Sequence, residues 1–368
     1  MSTLSLFLVD GGLEWGGAER QALVLARELR KQGFASRLVV APESPLHKNA
    51  AAEGLPVLAF GLPGGRSFFG AMRLGRRMRR EGCVLAHFED AAGAAVGAPA
   101  AARAEVPLRV LSRQPDASGR PAAVRMKGID AVIAGSEGLR DVLVRGGLPA
   151  AAVEVIPSGI DFSAYESPAS RDFLRREFGF AADDFLVGVV TGLEEPRHYQ
   201  DLVAAARTIV EHAPKARVVV LGEGALRLEP DKKGHDVHGD DLSFYLGFRD
   251  HLPQVLASLD VFVTTSPLVG FGGGLLDAMA CRVPVVAAEA GGVPEVLVHR
   301  ETGIRVPARD ARALAEAVLK LYLDRALAAR LAQRGQEAVR DRYSAEAMAR
   351  RTIALYERLA SRKGVKLG

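Results

Sequence analysis

The chain predicts two doubly wound α/β domains in tandem. Its 368 residues exceed the usual size of one compact core. Short apolar runs alternate with amphipathic helical stretches almost from end to end, the pattern of βαβ units in which helices cover a parallel sheet. After Pro307 the pattern turns wholly helical.

The first series opens with SLFLVD at 5–10 and continues through SRLVVAP at 36–42, LPVLAF at 55–60 and VLAHFE at 84–89. LRVLSR at 108–113 and AVIAGS at 131–136 follow, and VEVIPSGID at 153–161 closes it. Helical stretches such as 18–32 separate these strands. A helix-rich tether, 162–181, leads to the second series: FLVGVVTG at 185–192, RVVVLGEG at 217–224, LSFYLGF at 242–248, VFVTTS at 261–266 and PVVAAEAG at 284–291. Residues 309–340 and 344–360 then read as helices, the last with Ser344 at its N-cap and Glu346 in its first turn. The expected domains are residues 1–163 and 164–343, with a C-terminal helical segment at 344–368.

Hydrophobic residues make up 48% of the chain and charged residues 25%, as in a soluble globular protein. No run reaches the ~18 apolar residues of a spanning helix, since 91–102 is weakly apolar and broken by Pro99. The opening MSTLSLFLVDGG lacks a basic leader and reads as a first buried strand, which gives a cytoplasmic expectation. Cys83 and Cys281 are too few for a disulfide framework or a four-ligand zinc site, so both are expected as reduced core residues and no metal is expected. A net charge of +4 suits an anionic small molecule, nucleic acid or an acidic membrane face equally.

In open parallel sheets ligands sit beyond the carboxyl ends of the strands, so the loops there, and the cleft between two such domains, are where function is expected. The run 266–297 is the most informative of these. Gly270, Gly272, Gly273 and Gly274 follow a strand and open a helix, so backbone N–H groups can face a diphosphate without Cβ atoms in the way. A tight strand-to-helix turn without a ligand is the other reading. Asp277 can accept hydrogen bonds from vicinal hydroxyls such as those of a ribose, or simply stabilise a helix N-terminus. Arg197 can hold a diphosphate through its planar fork, or pair with Glu194 or Glu195 at the surface. His87, Glu89 and Asp90 end one strand, and Arg113 and Gln114 the next. His87 is either a hydrogen-bonding group for an acceptor or a capped strand-end histidine. Arg66, Arg73, Arg76, Arg77, Arg79 and Arg80 crowd one helical stretch with Phe68, Phe69, Met72 and Met78, a face suited to anionic lipid or to solvent.

Taken in order, several landmarks resemble family 4 retaining glycosyltransferases: Gly16-Gly17-Ala18-Glu19, Ser136 before a helix, 156–161 (IPSGID), 221–224 (LGEG), 244–249 (FYLGFR), the 266–279 run, and 284–287 (PVVA) with 291–295 (GGVPE). The resemblance implies the GT-B fold, two Rossmann-like domains facing each other across a cleft, with the C-terminal helix returning to the N-terminal domain. It implies a UDP-, GDP- or ADP-sugar donor on the C-terminal domain and a surface polysaccharide, lipopolysaccharide or lipid-linked glycan acceptor on the N-terminal one. No cofactor and no nucleic-acid partner are expected, and the expected location is cytoplasmic, peripheral at the inner face of the membrane where the basic stretch at 66–80 meets anionic lipid rather than solvent. Carried over by position, the donor side is Gly16, Gly17, Glu223, Gly224, Phe248, Arg249, Gly270, Phe271, Gly272, Gly273, Gly274 and Asp277. The acceptor side is Glu19, His87 and Arg113, and the catalytic positions are Arg197, Val269 and Asp277. The family departing phosphate is thought to help deprotonate the acceptor, so no catalytic base is named.

The chain departs from this pattern at the donor site. Val269 and Asp277 stand where the family has two glutamates, and Gly192 and Arg197 where it has an arginine and a lysine. Valine accepts no hydrogen bond, which would cost about 1.5 to 3 kcal/mol in donor binding. A degenerate GT-B protein that binds nucleotide, glycan or a partner without transfer is therefore the alternative. An epimerase of similar shape would need a better acid–base set than Glu295, His87 and Glu223. A dinucleotide enzyme would need the Gly-x-Gly-x-x-Gly spacing that DGGLEWGGAE lacks.

Overall fold

The computed structural model describes residues 5–61, 68–113, 128–166, 171–190, 196–221, 243–247, 252–265 and 274–367. The first series comprises β1 (Ser5–Val9), α1 (Gly17–Lys31), β2 (Ser36–Val40), α2 (Pro45–Ala52), β3 (Val57–Ala59), α3 (Phe68–Arg80) and β4 (Cys83–Phe88). It continues with α4 (Ala91–Arg103), β5 (Leu108–Arg113), β6 (Ala131–Ala134), α5 (Glu137–Arg145) and β7 (Val153–Val155). The second comprises α6 (Ser163–Glu166), α7 (Phe173–Phe178), β8 (Phe185–Val190), α8 (Pro196–His212), β9 (Ala216–Leu221), β10 (Ser243–Gly247) and α9 (Leu252–Ala257). β11 (Val261–Thr264), α10 (Leu275–Ala280), β12 (Val285–Ala288), α11 (Val293–Val296), β13 (Ile304–Val306), α12 (Ala311–Leu323) and α13 (Arg325–Arg342) complete it, before α14 (Ala345–Lys363). Two units result: Ile160–Tyr343 forms one, and the described chain before and after it the other.

The first unit holds a seven-stranded sheet in the order β3-β2-β1-β4-β5-β6-β7, with every pair parallel. Parallel strands buried on both faces need apolar side chains in both alternating sets, which the near-continuous apolar runs supply. Leu6 and Leu8 join Leu38, Leu85 and Val110 under α1 and α14, while Phe7 and Val9 are buried on the opposite face. Ser344 caps α14 by accepting the Ala347 N–H at 3.2 Å, and Met348, Leu355, Tyr356 and Leu359 carry that helix into the core of the first sheet.

The second unit holds a six-stranded sheet in the order β10-β9-β8-β11-β12-β13, again with every pair parallel. Val187, Val189, Val218, Val220, Val261 and Val263 pack with residues of α8 and α12 on one face. Leu186, Val219, Phe262, Val285 and Ala287 pack with α9 and α10 on the other. Both sheets reverse their strand order at the first strand. In the first unit β1 lies between β2 and β4, and in the second β8 lies between β9 and β11. Among the described residues no helix is long and apolar enough to cross a membrane.

One close approach shapes the end of the first sheet. A Cβ on Gly93 would stand 2.5 Å from the carbonyl oxygen of Val9, the last residue of β1, and 2.7 Å from the Asp90 carboxylate. Neither neighbour can retreat, because Asp90 Oδ1 accepts the Gly93 N–H at 2.7 Å and the Gly11 N–H at 2.9 Å, tying α4 to the turn after β1. Gly93→Ala is expected to cost about 1–3 kcal/mol, as other overpacking substitutions do. A lower urea midpoint at unchanged slope would show it, and a midpoint equal to the parent would contradict the contact.

Candidate functional site

The place where strand order reverses is where a doubly wound sheet opens to ligands, because successive crossovers leave to opposite faces there. In the first unit it is flanked by β1 and β4, paired through Leu8–His87 and Val9–Phe88. Four carboxylates collect beyond those strands. Asp10 is fully buried; its Oδ1 accepts the Gly12 N–H at 3.0 Å, and its Oδ2 has no partner among the described residues. Glu19 Oε2 accepts the N–H of Gly16, the residue preceding α1, at 3.0 Å. Asp90 is the N-cap of α4. Glu89 is buried, and its Oε1 lies 3.2 Å from His87 Nδ1 without forming a hydrogen bond.

His87 does not pair with that carboxylate as an ion. Burial pushes the imidazole down to about 3, so the ring is neutral at ordinary pH. Its Nδ1 lies 2.7 Å from the Tyr356 hydroxyl and its Nε2 2.8 Å from the Ser112 hydroxyl. Both nitrogens are thus engaged within the unit. Burial, followed by the charges of Asp10 and Asp90, holds Glu89 well above the ordinary carboxylate range. Burial, then Asp90 and Glu19, pushes Asp10 up to about 7, with the Gly12 N–H opposing the rise. A cavity of about 40 Å³ adjoins this cluster, lined among others by Gln21, His87, Glu89, Ser112, Ser158 and Thr352. Gln21 clasps the backbone of Gly159, accepting its N–H at 2.8 Å and donating to its carbonyl at 3.1 Å. Among the described residues no three His, Cys, Asp or Glu side chains are placed to share a metal ion.

In the second unit the order reverses between β8 and β11, paired through Val187–Val261 and Val189–Val263. The runs 191–195 and 266–273 follow these neighbouring strands in the chain; both lie outside the described residues, and with them Gly192, Val269, Gly270, Phe271, Gly272 and Gly273. Glu223, Gly224, Phe248 and Arg249 also lie outside them. Arg197 is described by its backbone alone, in the first turn of α8, and Arg113 by its backbone alone, at the end of β5 beside Ala134. Gly274 precedes α10 at φ +77°, a left-handed conformation that favours glycine. Asp277 stands in the first turn of α10, buried, where its Oδ1 accepts the hydroxyl of Tyr165. Burial and then Asp277 push the Cys281 thiol up to about 12, and both cysteines are free.

Of the residues singled out from sequence, the structure brings His87 and Glu89 together at one cavity, and Glu19 into the same cluster of acids through its influence on Asp10. Gly16 and Gly17 are exposed at the start of α1, in the first unit. Asp10, Ser112, Tyr356 and Tyr165 join them only in the structure. Asp10 had a signal, as the carboxylate ending the first apolar run. Tyr356 had none, since it meets His87 across 269 positions of chain.

Residues 15–164 match the family model described as Glycosyltransferase Family 4, and residues 170–338 the one described as Glycosyl transferases group 1. The chain belongs to the family 4 glycosyltransferases of GT-B fold. Among its relatives, the N-acetyl-alpha-D-glucosaminyl L-malate synthase of Bacillus anthracis is 27% identical over 50% of this chain and 48% of that protein. The GDP-mannose-dependent alpha-(1-6)-phosphatidylinositol monomannoside mannosyltransferase of Mycobacterium tuberculosis is 32% identical over 51% of each. The chain thus spans about half the length of these curated relatives in the matched region. Anabaena HepE, solved in complex with UDP, shares the fold at a TM-score of 0.79 and 21% identity over 96% of this chain and 99% of that one. In this family 4 chain the described residues that follow the reversal strands include the acids at the end of the first sheet and, in the second unit, Asp277 in the first turn of α10.

Asp10 has a consequence for stability. Its carboxyl rises from 3.8 to about 7 on folding, so between these values the folded chain binds more protons than the unfolded one, and stability falls as pH rises through that window. Asp10→Asn, which keeps the oxygen facing the Gly12 N–H, removes that contribution. The variant is expected to exceed the parent in urea midpoint at pH 8 by more than it does at pH 5. An equal difference at both values would refute the assignment.

Proposed function

We propose that this chain transfers a sugar, with retention, from a nucleotide-sugar donor to a hydroxyl of a surface polysaccharide or lipid-linked glycan. The observation that carries the proposal is the pairing of β8 with β11 in a chain matched by both family models, because it starts the 191–195 and 266–273 runs from neighbouring strands. Backbone N–H groups of the glycine-rich run cradle the diphosphate, and the Arg197 guanidinium neutralises charge that grows on it as the glycosyl–oxygen bond breaks. Asp277 faces the ribose hydroxyls. The nucleoside diphosphate leaves, the acceptor oxygen bonds the anomeric carbon, and its proton passes to the departing phosphate. Solved complexes of HepE hold UDP and UDP-glucose, and the M. tuberculosis relative is GDP-mannose-dependent by name, which supports a nucleotide-sugar donor and leaves UDP-, GDP- and ADP-sugars to be compared. The first unit, with its cavity beside β4, receives the acceptor.

A second reading, a chain that binds donor without transferring, draws on two observations. Val269 offers no acceptor to a sugar hydroxyl, and the Tyr165 hydroxyl already engages Asp277. Nucleotide release from a panel of UDP-, GDP- and ADP-sugars separates the two: transfer requires at least one donor whose release falls on Asp277→Ala. If calorimetry finds binding and no donor turns over, the second reading stands. Val269→Glu should then tighten donor binding roughly tenfold to a hundredfold, the equivalent of the lost hydrogen bond.

We also propose peripheral contact with an anionic membrane at its cytoplasmic face through α3. Phe68 and Phe69 are 61% and 70% exposed, and Arg73, Arg76, Arg79 and Arg80 lie exposed on the same helix. Apolar insertion and attraction to acidic headgroups act together on such a face. The chain is expected to sediment with phosphatidylglycerol vesicles at low salt, less at high salt, and less after Phe68→Ser with Phe69→Ser. No sedimentation at low salt ends the idea.

A further inference from the structure

The cavity beside β4 narrows what the first unit can receive. Its volume of about 40 Å³ exceeds the roughly 10–15 Å³ that one water needs, room for more than one hydroxyl-sized group. It therefore suits one edge of a ligand. Glu89 lines it while only 5% exposed, and one of its carboxyl oxygens has no hydrogen-bond partner among the described residues. The Ser112 hydroxyl lines the same cavity, held from behind by His87 Nε2, which is itself fixed through the Tyr356 contact at Nδ1.

A buried carboxyl oxygen without a hydrogen-bond partner loses its hydration and recovers nothing for it among the described residues. Here Asp10 and Asp90 add repulsion. A ligand hydroxyl in the cavity can meet the Glu89 carboxyl group in either protonation state, since it can donate to a carboxylate or accept from a carboxylic acid. An anionic group would meet Glu89 with Asp10, Asp90 and Glu19 nearby, and no lysine or arginine is among the residues lining the cavity.

We propose that this cavity is a subsite for the uncharged, hydroxyl-bearing edge of a polyol or sugar acceptor, anchored by Glu89 and Ser112, and that it discriminates against anionic acceptors. The proposal rests on the acceptor-side reading of the first unit. His87 is a positioning residue in it, acting through Ser112.

The test is binding to the full chain, followed by NMR titration with methyl α-D-glucopyranoside, glucuronate and glucose 6-phosphate as probes. The neutral glucoside is expected to bind at least roughly tenfold tighter than either anion. Glu89→Gln is expected to weaken it about tenfold while raising the melting temperature of the ligand-free chain at pH 7.5, because the variant loses ligand contact and internal repulsion together. Ser112→Ala, a smaller change, should weaken the glucoside in the same direction. Anions binding as tightly as the glucoside, a glucoside affinity unmoved by Glu89→Gln and Ser112→Ala, or no binding of the glucoside at all would each overturn the proposal. Nucleotide release on the same preparations keeps it distinct from transfer itself. Glucoside binding sensitive to Glu89 without any release would refute transfer and leave the subsite. Release stimulated by an anionic acceptor would do the reverse.

Discussion

The reversal of strand order at the first strand of each sheet is the constraint on which the rest of this protein depends. Parallel strands need crossover connections, and these are right-handed, so chain running outward from β1 in two directions places helices on opposite faces of the sheet. Only between β1 and β4, and between β8 and β11, do the connections diverge. Asp10 and Glu89 follow β1 and β4 directly, and the glycine-rich 266–273 run follows β11.

The first of these places carries its charge at a cost. Asp90 is well satisfied, with one oxygen accepting two backbone N–H groups, and it ties the turn after β1 to the start of α4. Asp10 and Glu89 are each left with one oxygen that has no partner among the described residues. Burial and mutual repulsion raise both of their pKa values, so keeping these acids buried costs the fold stability once they ionise. Beside them the imidazole of His87 is neutral and engaged on both sides, a rigid spacer that sets the Ser112 hydroxyl at the cavity wall. The mixture is an apolar, tightly packed frame around two carboxyl oxygens without a partner among the described residues.

Legibility in the sequence followed the range of the interaction. Strand-length apolar runs report burial on both faces of a sheet, so β1, β4, β8 and β11 could be placed from local pattern. Ser344 as the cap of α14 and Asp277 in the first turn of α10 are likewise contacts within a few residues. His87 left two readings open, and the partner of its Nδ1 is a phenol from Tyr356 in the last helix, which no local pattern reports. Tyr165 at Asp277 is of the same kind, a side chain 112 positions away occupying a carboxylate read as a ligand for ribose.

The sequence by itself determined the class of fold, the tandem order of two doubly wound units and the family, because each rests on periodicity or on short motifs in register. Tertiary structure alone decided which buried carboxylates keep an oxygen without a partner among the described residues, and that Tyr356 of the last helix and Ser112 engage the two nitrogens of His87. Those outcomes depend on desolvation and on contacts between distant segments, and both quantities exist only once the chain has closed on itself.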